Sequence, residues 1–217
     1  MKKFVALLLA LLMLLVSTAS LAEEAEVLSY TNKEGGYSFS YPAKMLLLSK
    51  ENVQELLDQM TDPSYSMDGM NAEAIRQNAD QVRQMDMVML MYSSGVFNYN
   101  VVYQDTGVQL NNDLVLSALC PQFTAQYKMV YPDLTMGDAG SIYTMGDKEY
   151  VTQSLQLTAN GIPMTIVVLY AVNGTYLYNV TFTVADFAME DADFLSFMNG
   201  TVELFASSFE TLAPAAE

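Results

Sequence analysis

Four strand-like runs lie between Ser141 and Val184, and short turn sequences separate them. Tyr176, Tyr178, Val180, Phe182 and Val184 interleave with Leu177, Asn179, Thr181 and Thr183, the period-two pattern of a strand with one buried face. Met164–Tyr170 is apolar on both faces and reads as a central strand. Asn173-Gly174 and Asn160-Gly161 punctuate these runs, and both dipeptides accept the positive φ of a two-residue hairpin turn. Gly146-Asp147 separates Tyr150–Thr158 from Ser141–Met145. The expectation is a four-strand antiparallel meander.

The rest of the chain is organised around that meander. Val27–Thr31 and Tyr37–Tyr41 flank Gly35-Gly36, and Met87–Tyr92 and Val96–Tyr103 flank Ser94-Gly95, which predicts two further hairpins. A helix is expected after Ser49, a cap candidate, through Val53, Leu56, Leu57 and Met60. Another lies within Asp113–Tyr131, with Pro121 as a kink or a late start. Residues 72–84 carry a weak apolar face of Ala72, Ala74, Ile75, Ala79 and Val82. The last helix is the best marked: Glu190, Asp191 and Asp193 crowd a first turn, where the helix dipole favours acids. Phe194, Met198, Val202, Phe205 and Phe209 then form one stripe that packs against a sheet. The fold class is α+β: an antiparallel sheet flanked by three to four helices, an α/β/α sandwich.

Tyr30-Thr31-Asn32-Lys33-Glu34-Gly35-Gly36-Tyr37-Ser38-Phe39-Ser40-Tyr41-Pro42 resembles the opening hairpin of the PsbP-like group, where a Gly-aromatic-x-aromatic-x-aromatic-Pro run precedes the first helix. The element order over 27–210 is also similar. Members usually place a Trp shortly after that Pro, whereas Met45 and Leu46 stand here and the chain has no Trp. The resemblance implies a sheet sandwiched by helices and a binding or assembly role without an active site, and it implies no particular ligand.

The first 22 residues read as an export signal. Lys2 and Lys3 precede the apolar run Phe4–Val16, and Ser20-Leu21-Ala22 supplies a small-x-small cleavage pattern. The run is shorter than the roughly 20 residues of a membrane-spanning helix. No Cys follows the cut near Ala22, so a lipid anchor is not expected. The expected organisation is a signal peptide over 1–22, one domain over 23–212 and a frayed tail over 213–217, secreted or otherwise extracytoplasmic in a bacterium.

The chain carries 25 acidic and 9 basic residues, a net charge of −16, with no His and one Cys. Lys33, Lys44, Lys50, Arg76, Arg83, Lys128 and Lys148 are scattered, which argues against a nucleic-acid face. Without His there is no Ser-His-Asp triad, Cys-His dyad or ordinary zinc set. Cys120 lies in the apolar run Leu116–Pro121 and reads as a buried thiol. No catalytic, cofactor-binding or metal-ligating residue is assigned, and no cofactor is expected. Two sets of residues leave metal binding open. Met85, Met87, Met89 and Met91 share one face of a strand and present thioethers suited to Cu(I), against a packing use. The loop over residues 62–71 has oxygen ligands and a glycine but not the spacing of a calcium loop. The functional expectation is an exported, non-enzymatic binding or accessory module of the cell envelope, whose partner is a protein or an envelope ligand. The alternative is a carboxylate-based glycan hydrolase.

Overall fold

The computed structural model describes residues 26–59, 72–85, 87–136 and 140–212. The expected signal peptide over 1–22, the expected loop over 62–71 and the expected tail over 213–217, together with Met60, lie outside the described residues. Eleven strands and four helices account for most of what is described. The strands are β1 (Val27–Asn32), β2 (Tyr37–Pro42), β3 (Met45–Leu48), β4 (Val88–Tyr92), β5 (Phe97–Asp105), β6 (Thr135–Met136), β7 (Ser141–Met145), β8 (Lys148–Ala159), β9 (Ile162–Asn173), β10 (Tyr176–Ala185) and β11 (Glu210–Thr211). The helices are α1 (Val53–Gln59), α2 (Ala72–Met85), α3 and α4 (Ala192–Ser208). Helix α3 runs through Asn112–Leu114, a π-helical stretch Val115–Leu119, and Cys120–Val130.

The long sheet has the order β3-β4-β5-β10-β9-β8-β6, with β7 also paired to β8, and every pairing in it is antiparallel. Strands β7 to β10 are the expected meander. Asn160 and Gly161 both take positive φ between Ala159 and Ile162, the geometry of a two-residue turn. One turn is shifted by a residue from the expectation. Asn173 pairs with Tyr176, so Gly174-Thr175 forms the loop and Asn173 belongs to the strand. Only Gly174 there needs positive φ, which is why the glycine decides the turn and the preceding Asn does not.

The first hairpin forms as expected but does not join the long sheet. Strands β1 and β2 pair from Val27↔Pro42 to Asn32↔Tyr37, and β11 adds to the other edge of β2 to make a separate three-stranded sheet. Val27 is the first residue of that strand, as the Val27–Thr31 run predicts. Strands β3, β6 and β11 carry too few residues to announce themselves by alternation. Gly35 in the hairpin loop sits so close to the Tyr37 and Tyr103 rings that a Cβ there would approach them to 2.7 Å.

Side chains alternate across the long sheet and build three layers. Toward one side point Met45, Val88, Leu90, Phe97, Tyr99, Val101, Tyr178, Val180, Phe182 and Val184, which pack with Tyr37, Phe39, Phe205 and Phe209 from the small sheet and α4. Toward the other side, Leu48, Met87, Met89 and Met91 pack with Val53, Ala79 and Val82 of α1 and α2. Val151, Leu155, Ile166, Val168 and Tyr170 pack with Val115 and Cys120 of α3. The architecture is α+β, with one outer layer shared by α4 and the small sheet.

Helix termini follow from local chemistry. Asn111 accepts the Leu114 N–H at 2.8 Å and opens α3. The Cys120 N–H reaches back to the Val115 carbonyl, and this wide π turn delivers the chain to Pro121, whose ring would crowd a regular helix. Pro121 therefore neither starts nor ends α3. Asp191 accepts the Asp193 and Phe194 N–H groups at 2.9 and 3.0 Å and caps α4. At α1 the expected Ser49 side-chain cap gives way to Asn52. The Ser49 N–H donates to Asn52 Oδ1 at 2.8 Å, while the Ser49 carbonyl accepts the Val53 N–H.

Candidate functional site

Strands β5 and β10 lie side by side in the middle of the long sheet, and on the α1–α3 side their alternate residues are polar. Asn98 and Asn100 on β5, and Asn179, Thr181 and Thr183 on β10, form a strip flanked by two apolar fields. Cross-strand pairing fixes its rows. Met91, Asn98, Thr183 and Ile166 lie across one row, and Met89, Asn100, Thr181 and Val168 across the next. The methionine end of each row is roofed by α1 and α2, and the aliphatic end by α3. Thr181 is buried, and the other four side chains are half-buried.

Asparagine is a poor strand former because its short amide competes for backbone partners, so three of them on two central strands call for a reason beyond pairing. Thr181 Oγ1 donates to Asn179 Oδ1 at 3.0 Å, which orders that end of the strip. Tyr127 of α3 comes down to Thr181; burial raises the Tyr127 phenol above its ordinary range, an effect the Thr181 hydroxyl partly offsets. The Asn98 and Asn100 amides make no hydrogen bond to any described residue. Beside the strip, Asn78 of α2 donates to Met91 Sδ at 3.5 Å. The strip thus offers neutral donors and acceptors and holds no carboxylate or amine on its floor.

The sequence-derived metal candidates separate. Met87, Met89 and Met91 are buried on one face as expected, where they fill the space under α1 and α2. Met85 does not join them: it closes α2 and is 56% exposed, because the strand begins only at Val88. Cys120 is fully buried in the α3 core, and burial pushes its thiol up to about 11. Around it runs a closed polar chain. Tyr170 donates to Gln153 Oε1 at 3.3 Å, Gln153 Nε2 donates to Thr124 Oγ1 at 2.7 Å, and Thr124 donates to the Cys120 carbonyl at 2.9 Å. That chain fastens α3 to the sheet and consumes its own polar groups. Among the described residues no three His, Cys, Asp or Glu side chains gather as a metal site.

Away from the strip, an opening of about 530 Å³ lies beside the end of β1 and is lined by Tyr30, Lys33, Glu34, Leu47, Glu51 and Asn52, among others. It is open and mixed in polarity, and Tyr30 donates across it to Glu51 at 3.4 Å. Neither the strip nor this groove was singled out from the sequence. The alternation that showed one face of β10 to be polar was legible, but which strand lies beside it and which helices flank it depend on topology.

By sequence the chain matches no protein-family model and no curated protein. By structure it is similar to cyanobacterial PsbP (CyanoP) from Synechocystis, with a TM-score of 0.50 and 12% identity over 90% of this chain and 98% of that one. It is also similar to LpqN of Mycobacterium tuberculosis, a protein involved in cell envelope biogenesis, with a TM-score of 0.45 and 11% identity over 87% and 92% of the two chains. A third likeness is to the Ran-binding protein Mog1p of Saccharomyces cerevisiae, with a TM-score of 0.48 and 7% identity over 87% and 96%. The fold is PsbP-like, as the Tyr30–Pro42 run implied. Among the described residues no helix is long and apolar enough to cross a membrane.

Proposed function

We propose that this chain is an exported, non-enzymatic binding module of the bacterial envelope, and that it meets its ligand at the strip of Asn98, Asn100, Asn179, Thr181 and Thr183. The observation that carries this reading is the pair of half-buried asparagine amides that bond to no described residue, set in a polar strip between two helix-covered apolar fields. Such groups cost stability unless a ligand or water satisfies them. The floor holds hydrogen-bonding groups but no acid, base or nucleophile, so it supports recognition rather than bond cleavage. The net charge of −16 supports a partner that is protein or neutral polymer and not nucleic acid. Export is supported by the Lys2–Ala22 pattern.

The test starts from the mature chain, Glu23–Glu217. Envelope protein and polysaccharide fractions are titrated against its thermal unfolding and against the Asn98 and Asn100 side-chain amide resonances. A ligand of the native state raises the melting temperature and shifts those resonances, and Asn98→Ala with Asn100→Ala removes both effects. Binding that the double variant leaves intact places the site elsewhere. Release of reducing ends from the polysaccharides replaces this reading with that of a carboxylate-based glycan hydrolase. N-terminal sequencing of the protein from culture medium or envelope is expected to begin near Glu23, and an intact Met1 in the cytoplasmic fraction would overturn export.

A further inference from the structure

We infer that β1 is a self-association edge, which pairs antiparallel with β1 of a second copy about a twofold axis at Ser29. Backbone geometry specifies the edge. The Ala43 N–H donates to the Glu26 carbonyl at 2.8 Å, so Glu26 and Ala43 form a hydrogen-bonded pair in the β1–β2 hairpin. Pairing alternates from there, and Val27, Ser29 and Thr31 turn their N–H and C=O groups away from β2. The far edge of β2 obeys the same alternation: the Ser40 N–H donates to Ser208 Oγ, Ser38 pairs with Glu210, and the Gly36 carbonyl accepts the Leu212 N–H. That edge is closed by α4 and β11, whereas among the described residues β1 ends the sheet.

Edge strands are ordinarily protected by charge, proline or a bulge. Val-Leu-Ser-Tyr-Thr-Asn has none of these, and it exposes Val27 by 51% and Leu28 by 38%. The occupant is set by complementarity. Only outward-facing residues can bond across this edge, and the register that pairs all three sets Ser29 against Ser29 of the other copy and Val27 against Thr31 at both ends. On the inner side, Leu28 of one copy then falls beside Tyr30 of the other, at the groove lined by Tyr30 and Leu47. Charge agrees with this antiparallel direction. Glu26 before the strand and Lys33 after it have no ion-pair partner among the described residues, and the pairing brings Glu26 of one copy within one residue of Lys33 of the other. A parallel arrangement would set like charges together.

The register gives a sharp test. Facing residues of a hydrogen-bonded pair lie about 5.5 Å apart at Cα, within the range that a disulfide spans. Mature chain carrying Ser29→Cys is expected to form a covalent dimer under mild oxidation. The Thr31→Cys variant is expected to stay monomeric, because the two copies of residue 31 lie about 13 Å apart along the paired strands. Wild type, whose single Cys120 is buried, is the blank. Light scattering of unoxidised wild type should show a concentration-dependent dimer that Leu28→Lys shifts to monomer by at least tenfold in dissociation constant. Equal cross-linking of both cysteine variants indicates random collision and overturns the inference. So does a wild type that stays monomeric at millimolar concentration with Ser29→Cys unlinked, in which case the edge serves an extended peptide of another protein or no partner at all.

Discussion

One face of the long sheet is sealed by aromatic rings, while the other is covered by two separate helix groups with a polar strip between them. On the ring face, Phe39 and Phe205 lie 5.1 Å apart at their centroids, Tyr99 and Phe182 5.0 Å, and Phe205 and Phe209 5.1 Å. These rings touch one another within a buried cluster that also takes in Val88, Leu90, Val101 and Val180. On the strip face the apolar fields belong to different helices, and amides and hydroxyls lie between Met89 and Met91 on one side and Val168 and Ile166 on the other. The first face invests the protein's stability, and the second spends some of it on exposed hydrogen-bonding capacity.

If that contrast holds, removal of a central ring carries the largest effect. Phe205→Ala leaves a cavity where the small sheet, the long sheet and α4 meet, and should lower unfolding free energy by about 3–5 kcal/mol in a urea titration. A loss below about 1 kcal/mol would mean that the two sheets are not mutually packed. Gln153→Met tests the buried polar chain beneath α3. It strands Tyr170 and Thr124, and should cost about 1–3 kcal/mol by the same measurement. Tyr99→Phe sharpens the comparison in the opposite direction. The Tyr99 hydroxyl is buried without a partner among the described residues, and burial holds it well above the ordinary phenol range. Its removal should raise stability by about 1 kcal/mol. Asn98→Val with Asn100→Val should raise stability by a few tenths to about 1 kcal/mol, as better strand formers replace unpaired amides, while any ligand response is lost. A destabilised double variant would show that the strip is structural.

The smallest effect is on pH. The folded chain holds the proton of Cys120 more tightly than the unfolded chain does, with its thiol pushed from an ordinary 9.0 to about 11. Tyr150 and Tyr170 are shifted in the same direction, mainly by burial. Groups raised in this way contribute fully below their unfolded values, and that contribution fades as pH climbs through the folded ones. Stability should therefore be level up to about pH 9 and decline toward pH 11. A stability that stays level over that window would place these groups in contact with solvent.

Much of the frame was legible because turns and periodicity are local. The meander, both hairpins, the Phe194–Phe209 stripe and the burial of Cys120 all follow from residues within a few positions of one another. What escaped the sequence depends on partners far along the chain. Nothing near Tyr37 says that Thr211 will pair with it, so the small sheet could not be separated from the large one. Nothing near Asn98 says that Thr183 and Met91 will flank it. Helix α4 lacks a basic residue in its last turn, and the cation comes instead from Lys148, which donates to the Ser207 and Phe209 carbonyls at 2.7 and 2.8 Å. Tyr150 adds a 2.6 Å bond to the Ala206 carbonyl. These are contacts that only topology creates.

The hydrogen bond from the Ser40 N–H to Ser208 links positions 168 residues apart, and β11 closes the same strand two residues later. The opening hairpin is thus completed only by residues far along the chain from it. Long-range closure of this kind slows folding, because the intervening loop must be ordered before the contact stabilises anything. The small sheet should therefore be among the last parts of the fold to close.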